Sequence, residues 1–359
     1  MDVEHLFLKN FRIHKEFSFN CNDHNYQFIL LQGPNGIGKT SILEALSFLN
    51  PGKGLKNIGF EDAIKNDEEC WTIFATLKSQ SDTTSVGMSC NNNGRRVIKI
   101  NNKFVRSSIG LLNVIKIIWL TPAEDALLAE SKSLRRKFLD RLTYNFDIDH
   151  ASSINKYDYQ LRSRLRLLKD GNYDEIWLQQ IEKSLAELSF YISRSRLLSI
   201  DRLNKELQNA NKGLLIPALE LNCKIASNIN DLGPNDIQHE FFKSRSLDAR
   251  VGQSLYGIHR ADFTIVNTAK SVNANKSSTG ELKGMLINII LAQIRSLNKI
   301  DNIKPLFLLD DILSHFDSNK VHEILSELQQ IDAQVWISGV NFDMLDPTIF
   351  CKNFIKISI

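Results

Sequence analysis

The sequence is short of cysteine, of proline and of net charge: its 359 residues include five cysteines and seven prolines, and 44 Lys plus Arg stand against 41 Asp plus Glu. Each scarcity excludes something. Cys21, Cys70, Cys90, Cys223 and Cys351 are scattered, odd in number and never in a C-x-x-C spacing. That excludes a disulfide framework and a cysteine-based redox or metal motif, and it suits a reducing, cytoplasmic compartment. No apolar run approaches the roughly 20 residues a bilayer span requires. The N-terminal sequence alternates like a strand, with acids near its start, and so lacks the charged and apolar regions of a signal peptide. Neither secretion nor membrane insertion is expected. A formal charge of +3 is too weak to indicate a nucleic-acid partner, so any such surface must be local. With 43% apolar and 24% charged residues the composition is that of a globular protein, which excludes gross disorder.

The periodicity changes along the chain. An extended segment with Leu6, Leu8, Phe11 and Ile13 is followed by a short apolar strand, Gln27 to Leu31, and by a helix from Thr40 to Leu49 with Ile42, Leu43, Leu46 and Leu49 on one face. Between Trp71 and Ile118 short β-rich runs alternate with polar turns and predict antiparallel strands at the edge of a lobe. From Glu124 to Asn211 the sequence becomes charged and helical, with Leu178, Ile181, Leu185, Leu188 and Ile192 marking an amphipathic face. Short strands return after Gly213. A helical pattern then runs from Ser278 to Arg295, and three apolar runs that read as buried strands, ending near Leu309, Val340 and Ile359, close the chain. This predicts a discontinuous α/β lobe, 1–125 with 250–359, interrupted by a helical lobe at 126–249.

Gly33-Pro34-Asn35-Gly36-Ile37-Gly38-Lys39-Thr40 fits G-x-x-x-x-G-K-[ST] at every fixed position, between a strand and a helix. Glycines let backbone amides wrap closely around phosphate, and a helix N-terminus adds positive potential. Lys39 would neutralise the β- and γ-phosphates of ATP and assist their transfer, while Thr40 would ligate Mg²⁺. A plain glycine turn before a helix is the alternative. Far downstream, the apolar run Pro305 to Leu309 ends in Asp310-Asp311, the form of a Walker B strand: Asp310 would hold Mg²⁺ and Asp311 would orient or deprotonate the attacking water. Ahead of it, Ser278-Thr279-Gly280-Glu281 opens a helix. Ser278 and Glu281 satisfy a capping box, which is a sufficient structural reason for the pattern.

In this order and spacing, Ser278, Gly280 and Glu281 also resemble the ABC signature, and Asp317 occupies the position of a D-loop. The fold expected is therefore an ABC-type ATPase head, a P-loop mixed sheet with helices, carrying an inserted helical second lobe. Gly33 and Ser278 lie about 245 residues apart, too far for a transporter ATPase and too close for the long coiled coil of an SMC protein. Three further stretches resemble the RecF family: Asn10-Phe11-Arg12; Thr121-Pro122-Ala123-Glu124-Asp125 followed by Arg135-Arg136-Lys137-Phe138-Leu139-Asp140; and Gly257-Ile258-His259-Arg260-Ala261-Asp262. The resemblance spans the chain. Ile258 stands where the family usually has proline, and Ser338-Gly339 where transporters carry a switch histidine.

The resemblance implies a weak ATPase of recombinational repair, with roles in replication and the SOS response. Two copies would dimerise on ATP, the phosphate loop of one being completed by Ser278, Gly280 and Glu281 of the other, with Arg12 near the nucleotide. The dimer would clamp DNA at single-strand gaps, or double-stranded and linear DNA, without sequence preference, and with RecO and RecR would promote RecA loading. A transporter-type energy-coupling ATPase and a nucleotide-dependent scaffold that never hydrolyses are the alternatives. The best local DNA surface in the sequence is 131–170, with ten cations (among them Arg135, Arg136, Arg162, Arg164 and Arg166) against five acids; contacts there would be to phosphates and salt-sensitive.

Overall fold

A computed structural model describes residues 1–21, 25–79, 82–122, 124, 131–171, 173–209, 217–222, 228, 231–342 and 353–359. Ala123, Asp125, Asn211, Gly213, Cys223 and Cys351, named above, lie outside these. The chain divides into two units, Met1–Glu124 with Leu286–Ile359, and Asp125–Met285.

The first unit holds two sheets. Strands β1 (Asp2–Phe11), β2 (His14–Asn20), β4 (Cys70–Lys78), β5 (Thr83–Asn91), β6 (Arg96–Ile100) and β7 (Lys103–Val105) form an antiparallel sheet in the order β2-β1-β4-β5-β6-β7. Its alternation is plain on β4, where Trp71, Ile73, Ala75 and Leu77 are buried and Phe74 faces outward. The second sheet is parallel, β14-β3-β13-β12-β8, built from β3 (Phe28–Gln32), β8 (Ile117–Leu120), β12 (Leu306–Asp310), β13 (Gln334–Gly339) and β14 (Phe354–Ser358). Helix α1 (Lys39–Ser47) follows β3.

One core joins these parts. The inner face of the antiparallel sheet, the apolar side of α1 and residues of β3, β8, β12 and β13 form a single buried cluster. Phe11 packs edge-on against both Phe48 and Trp71, with ring centres 5.6 Å apart in each pair. Burying each such side chain is worth roughly 1.5–3 kcal/mol, so the end of β1 is tied firmly beside α1.

Two expectations need correction. The run ending in Ile117–Leu120 was grouped with the antiparallel strands, but it pairs parallel to β12. All four of its residues are buried, and a continuous apolar run rather than an alternating one belongs in a sheet covered on both faces. The final strand was expected to be buried, but β14 is the sheet's edge and its side chains are half-exposed or exposed.

The second unit contains α2 (Lys132–Tyr144), α3 (Ile148–Asp170), α4 (Glu175–Gln208) and α5 (Pro234–Val251), with a three-stranded sheet of β9 (Pro217–Asn222), β10 (Asp262–Asn267) and β11 (Val272–Asn273). On α4 the expected stripe is present: Leu178, Ile181, Leu185 and Ile192 are buried and Leu188 is half-buried. The return boundary falls at Met285, inside α6 (Thr279–Asp301), and not near 250. The reason is pairing, since β10 pairs along its whole length with β9 and Phe263 on β10 packs near Phe138 of α2. Helix α7 (Ser318–Gln329) belongs to the first unit and is capped by Asp317, whose side chain accepts from the Lys320 amide at 2.9 Å.

Part of the cationic run at 131–170 is committed inside its own unit, while Lys137, Lys156, Arg162, Arg166 and Lys169 are exposed. Arg164 is fully buried, donating to Glu182 (2.9 Å), Asp248 (2.6 Å) and the Phe241 carbonyl (2.7 Å). It is a structural charge, unavailable to DNA. Arg135 forks onto Asp262 at 2.8 and 3.1 Å, and Arg136 donates to the Ala261 carbonyl at 2.7 Å. The two motifs singled out around Arg135 and His259 thus bond to each other.

Candidate functional site

Parallel sheets place ligands at the carboxyl ends of their strands, and β3, β12 and β13 converge there. The loop after β3 runs from Gly33 to Gly38, with Gly36 (φ 85°) and Gly38 (φ 107°) in conformations that favour glycine. Gly38 is doubly required, since an added Cβ would lie 2.4 Å from Nε2 of His14. That same nitrogen is 3.1 Å from the Gly38 carbonyl. Lys39 folds back over the loop, its Nζ donating to the carbonyls of Gly33 (2.6 Å) and Pro34 (2.9 Å).

The carboxylates stand opposite. Asp310 Oδ1 accepts from the hydroxyls of Thr40 and Ser338, both at 2.8 Å, and Ser338 Oγ in turn accepts from the Asp311 amide at 2.9 Å. Burial pushes the Asp310 carboxyl above its ordinary pKa, and the bonds from Ser338 and Thr40 pull against that. Asp311 sits at φ 49°, a left-handed conformation that Asp tolerates better than most residues. The structure therefore brings together Lys39, Thr40, Asp310 and Asp311, residues up to 272 positions apart.

Arg12 also adopts the left-handed region (φ 55°) at the end of β1. Its guanidinium forks onto the buried carboxylate of Glu44 on α1 (2.9 and 2.7 Å) and donates to the Asp62 carbonyl at 2.9 Å. A cavity of about 720 Å³ opens here, lined by Arg12, Asn35, Gly36, Lys39, Thr40 and Asp311, among others. Its donors suit a phosphate-rich ligand with a hard cation: amides and an ammonium on one side, hydroxyl and carboxylate oxygens on the other. Among the described residues no group of three or more His, Cys, Asp or Glu is placed to hold a metal ion by itself.

Ser278, Gly280 and Glu281 lie in the second unit, at the start of α6. The expected capping box is present: the Ser278 amide donates to Glu281 Oε2 (3.0 Å) and the Glu281 amide to Ser278 Oγ (3.4 Å). Glu281 is further held by Lys270 at 2.7 Å. Ser278 and Gly280 are exposed, and a Cβ at Gly280 would meet nothing within 4 Å, so this helix start is open to an incoming molecule.

Reasoning from sequence missed His14, Glu44 and the linking role of Ser338. His14 and Glu44 carry no motif of their own. Ser338 was noticed only as the absence of a histidine.

A parallel sheet with a phosphate loop, a paired-carboxylate strand beside it and a capped serine-glycine helix start defines an ABC/SMC-type head. The chain belongs to the RecF/RecN/SMC N-terminal domain family, whose model matches residues 2–358. Within it, the chain is 32% identical over 344 residues, 95% of each chain, to DNA replication and repair protein RecF of Rickettsia prowazekii, and 31% identical over 359 residues, 98% of each, to that of Rickettsia canadensis. The RecF resemblance read from the motifs is thereby established. The fold matches that of a solved structure of the recombination mediator protein RecF-ATP in the RecFOR pathway, with a TM-score of 0.85, 23% identity and coverage of 96% and 93% of the two chains. It matches an Smc head from Pyrococcus furiosus more distantly, with a TM-score of 0.52, 14% identity and coverage of 99% and 92%. Among the described residues no helix is long and apolar enough to cross a membrane.

Proposed function

We propose that this protein is an ATP-dependent DNA-binding protein of recombinational repair that binds ATP with Mg²⁺ at the Gly33–Thr40 loop and hydrolyses it slowly. The observation that carries the reading is the Thr40–Asp310–Ser338 cluster facing Lys39 across the phosphate loop. Lys39, whose ammonium is held by the Gly33 and Pro34 carbonyls, would hold the phosphates, and Thr40 and Asp310, already bonded to each other, would hold the cation. When bound, Mg²⁺ would supply neutralisation of the phosphate charge. Asp311 accepts the proton of the attacking water.

Two copies associate through ATP, the exposed Ser278 and Gly280 of one closing on the phosphate loop of the other. A helix N-terminus supplies positive potential for such a contact. The names of the Rickettsia relatives support replication and repair as the setting. Clamping of DNA at single-strand gaps, partnership with RecO and RecR, RecA loading and a link to the SOS response complete the reading.

The test compares wild type with Lys39→Ala and Ser278→Arg. Lys39→Ala should lose nucleotide binding. Ser278→Arg should bind ATP as a monomer yet fail to dimerise in sedimentation, and should lose ATP-dependent DNA retention across a salt series. Dimerisation unchanged by Ser278→Arg would sink the composite site.

A further inference from the structure

The outward face of the antiparallel sheet carries a cross-strand row in which Phe74, Gly87, Lys99 and Phe104 stand side by side on β4, β5, β6 and β7. Phe104 is 73% exposed and Phe74 36%. The Lys99 ammonium sits 4.7 Å from the Phe104 ring centre. A Cβ at Gly87 would meet only a Phe74 ring atom at 4.0 Å, so the surface between the two rings is open. The neighbouring rows across β4, β5 and β6 hold Thr72, Ser89 and Val97 on one side and Thr76 and Ser85 on the other, with no acid.

Charge is concentrated beside this face. Between Gly94 and Ser107 the sequence has five cations, Arg95, Arg96, Lys99, Lys103 and Arg106, and no acid. Arg96 is turned onto the Phe60 ring, which leaves Arg95, Lys99, Lys103 and Arg106 exposed. Acids flank the face rather than lie on it: Glu61 is beside Gly94 at the turn between β5 and β6, the Glu69 carbonyl accepts from the Asn92 amide near that turn, Asp82 directly precedes β5, and Glu16 on β2 stands opposite Lys9. Lysines on an edge strand such as β7 have a structural use, since they deter strand-to-strand aggregation. An exposed phenylalanine works against that purpose, and Phe104 needs a different reason.

We propose that this face is a stacking platform for a single strand of DNA, with bases on Phe104 and Phe74 and phosphates along Lys99, Lys103 and Arg106. Aromatic rings on an open sheet accept the flat face of any base, while adjacent cations track the backbone without reading sequence. A duplex keeps its base faces stacked inward and has none to offer the rings. This inference rests on the DNA-directed reading above and gives it a site in the first unit, where the helical cations of the second unit are partly consumed by internal ion pairs.

The experiment uses the full chain with ATP, labelled oligo(dT) and a mixed-sequence duplex, in wild type, Phe104→Ala, Phe104→Trp and the triple variant Lys99→Ala/Lys103→Ala/Arg106→Ala. Phe104→Ala should weaken oligo(dT) binding by about tenfold and leave duplex binding within about twofold. Phe104→Trp should restore it, with fluorescence above the wild-type background quenched as oligo(dT) is added. The triple variant should reduce the slope of log affinity against log salt for oligo(dT) by about 2. Nucleotide binding by each variant reports that it is folded. Wild-type oligo(dT) affinity in both Phe104→Ala and the triple variant would overturn the platform and leave the DNA reading standing. Equal losses for duplex and oligo(dT) in Phe104→Ala would overturn its single-strand character. Failure of the wild type to bind either DNA would overturn the underlying reading and the platform with it.

Discussion

Ser338 is small and carries no motif, yet its hydroxyl donates to the Asp310 carboxylate and accepts from the Asp311 amide, so one side chain sets both acids. A hydrogen bond to a carboxylate is worth roughly 1.5–3 kcal/mol, which corresponds to about tenfold or more in rate if it is lost where the reaction is promoted. Ser338→Ala should therefore lower ATP turnover by about tenfold without changing nucleotide affinity, and Ser338→Thr should keep most of the activity. The sign of the pH effect distinguishes positioning from simple packing. Because the Ser338 bond pulls the Asp310 carboxyl down against burial, its removal should move the acidic limb of the turnover profile to higher pH. At this scale the sequence was legible where chemistry demands a pattern, as in Lys39, Thr40, Asp310 and Asp311. It was silent on Glu44 and His14, which act by holding Arg12 and Gly38 and need only the right location.

Among the elements, α2, α3, α4 and α5 are joined by charges as well as apolar faces. Arg164 on α3 holds Glu182 of α4 and Asp248 of α5, all three essentially without solvent exposure. Removing one member of such a group leaves uncompensated buried charge, so Arg164→Ala should cost about 3–5 kcal/mol in chemical denaturation. Asp140 on α2 sits between Arg196 and His150. Burial would raise its pKa, but Arg196 and the His150 bond win and hold it at about 2. A carboxylate depressed in the folded state stabilises fully above its unfolded pKa of about 3.9, and the contribution, here about 2 kcal/mol, is lost as pH falls toward about 2. Stability followed by acid titration should drop across that window, and Asp140→Asn should flatten the dependence while lowering stability at neutral pH. Periodicity exposed the apolar stripe of α4 but not these pairs. Arginines at 162, 164 and 166 look alike in sequence, and only tertiary packing decides that the middle one faces inward.

For the whole molecule, the two-lobe plan could be read from composition shifts and motif order, whereas the return boundary could not. Pairing of β10 with β9, and not any change in residue usage, assigns 250–285 to the second unit. The assembly reading makes a sharp prediction at this scale. Lys39→Ala and Ser278→Arg each spoil both sites of a homodimer, but a mixed dimer retains one intact phosphate loop facing one intact signature. Mixing the two inactive variants should restore ATP-dependent association and part of the turnover, measured by sedimentation and phosphate release. No recovery on mixing would mean that each site is complete within one chain.

The nitrogen of His14 pressed against Gly38 has a consequence for any attempt to transplant this site. The loop's shape is partly moulded from outside, by the turn that joins the first two strands. Grafting residues 33–40 alone into another parallel sheet would carry the motif without its mould, whereas a graft that includes the β1–β2 hairpin would keep the cast and its impression together.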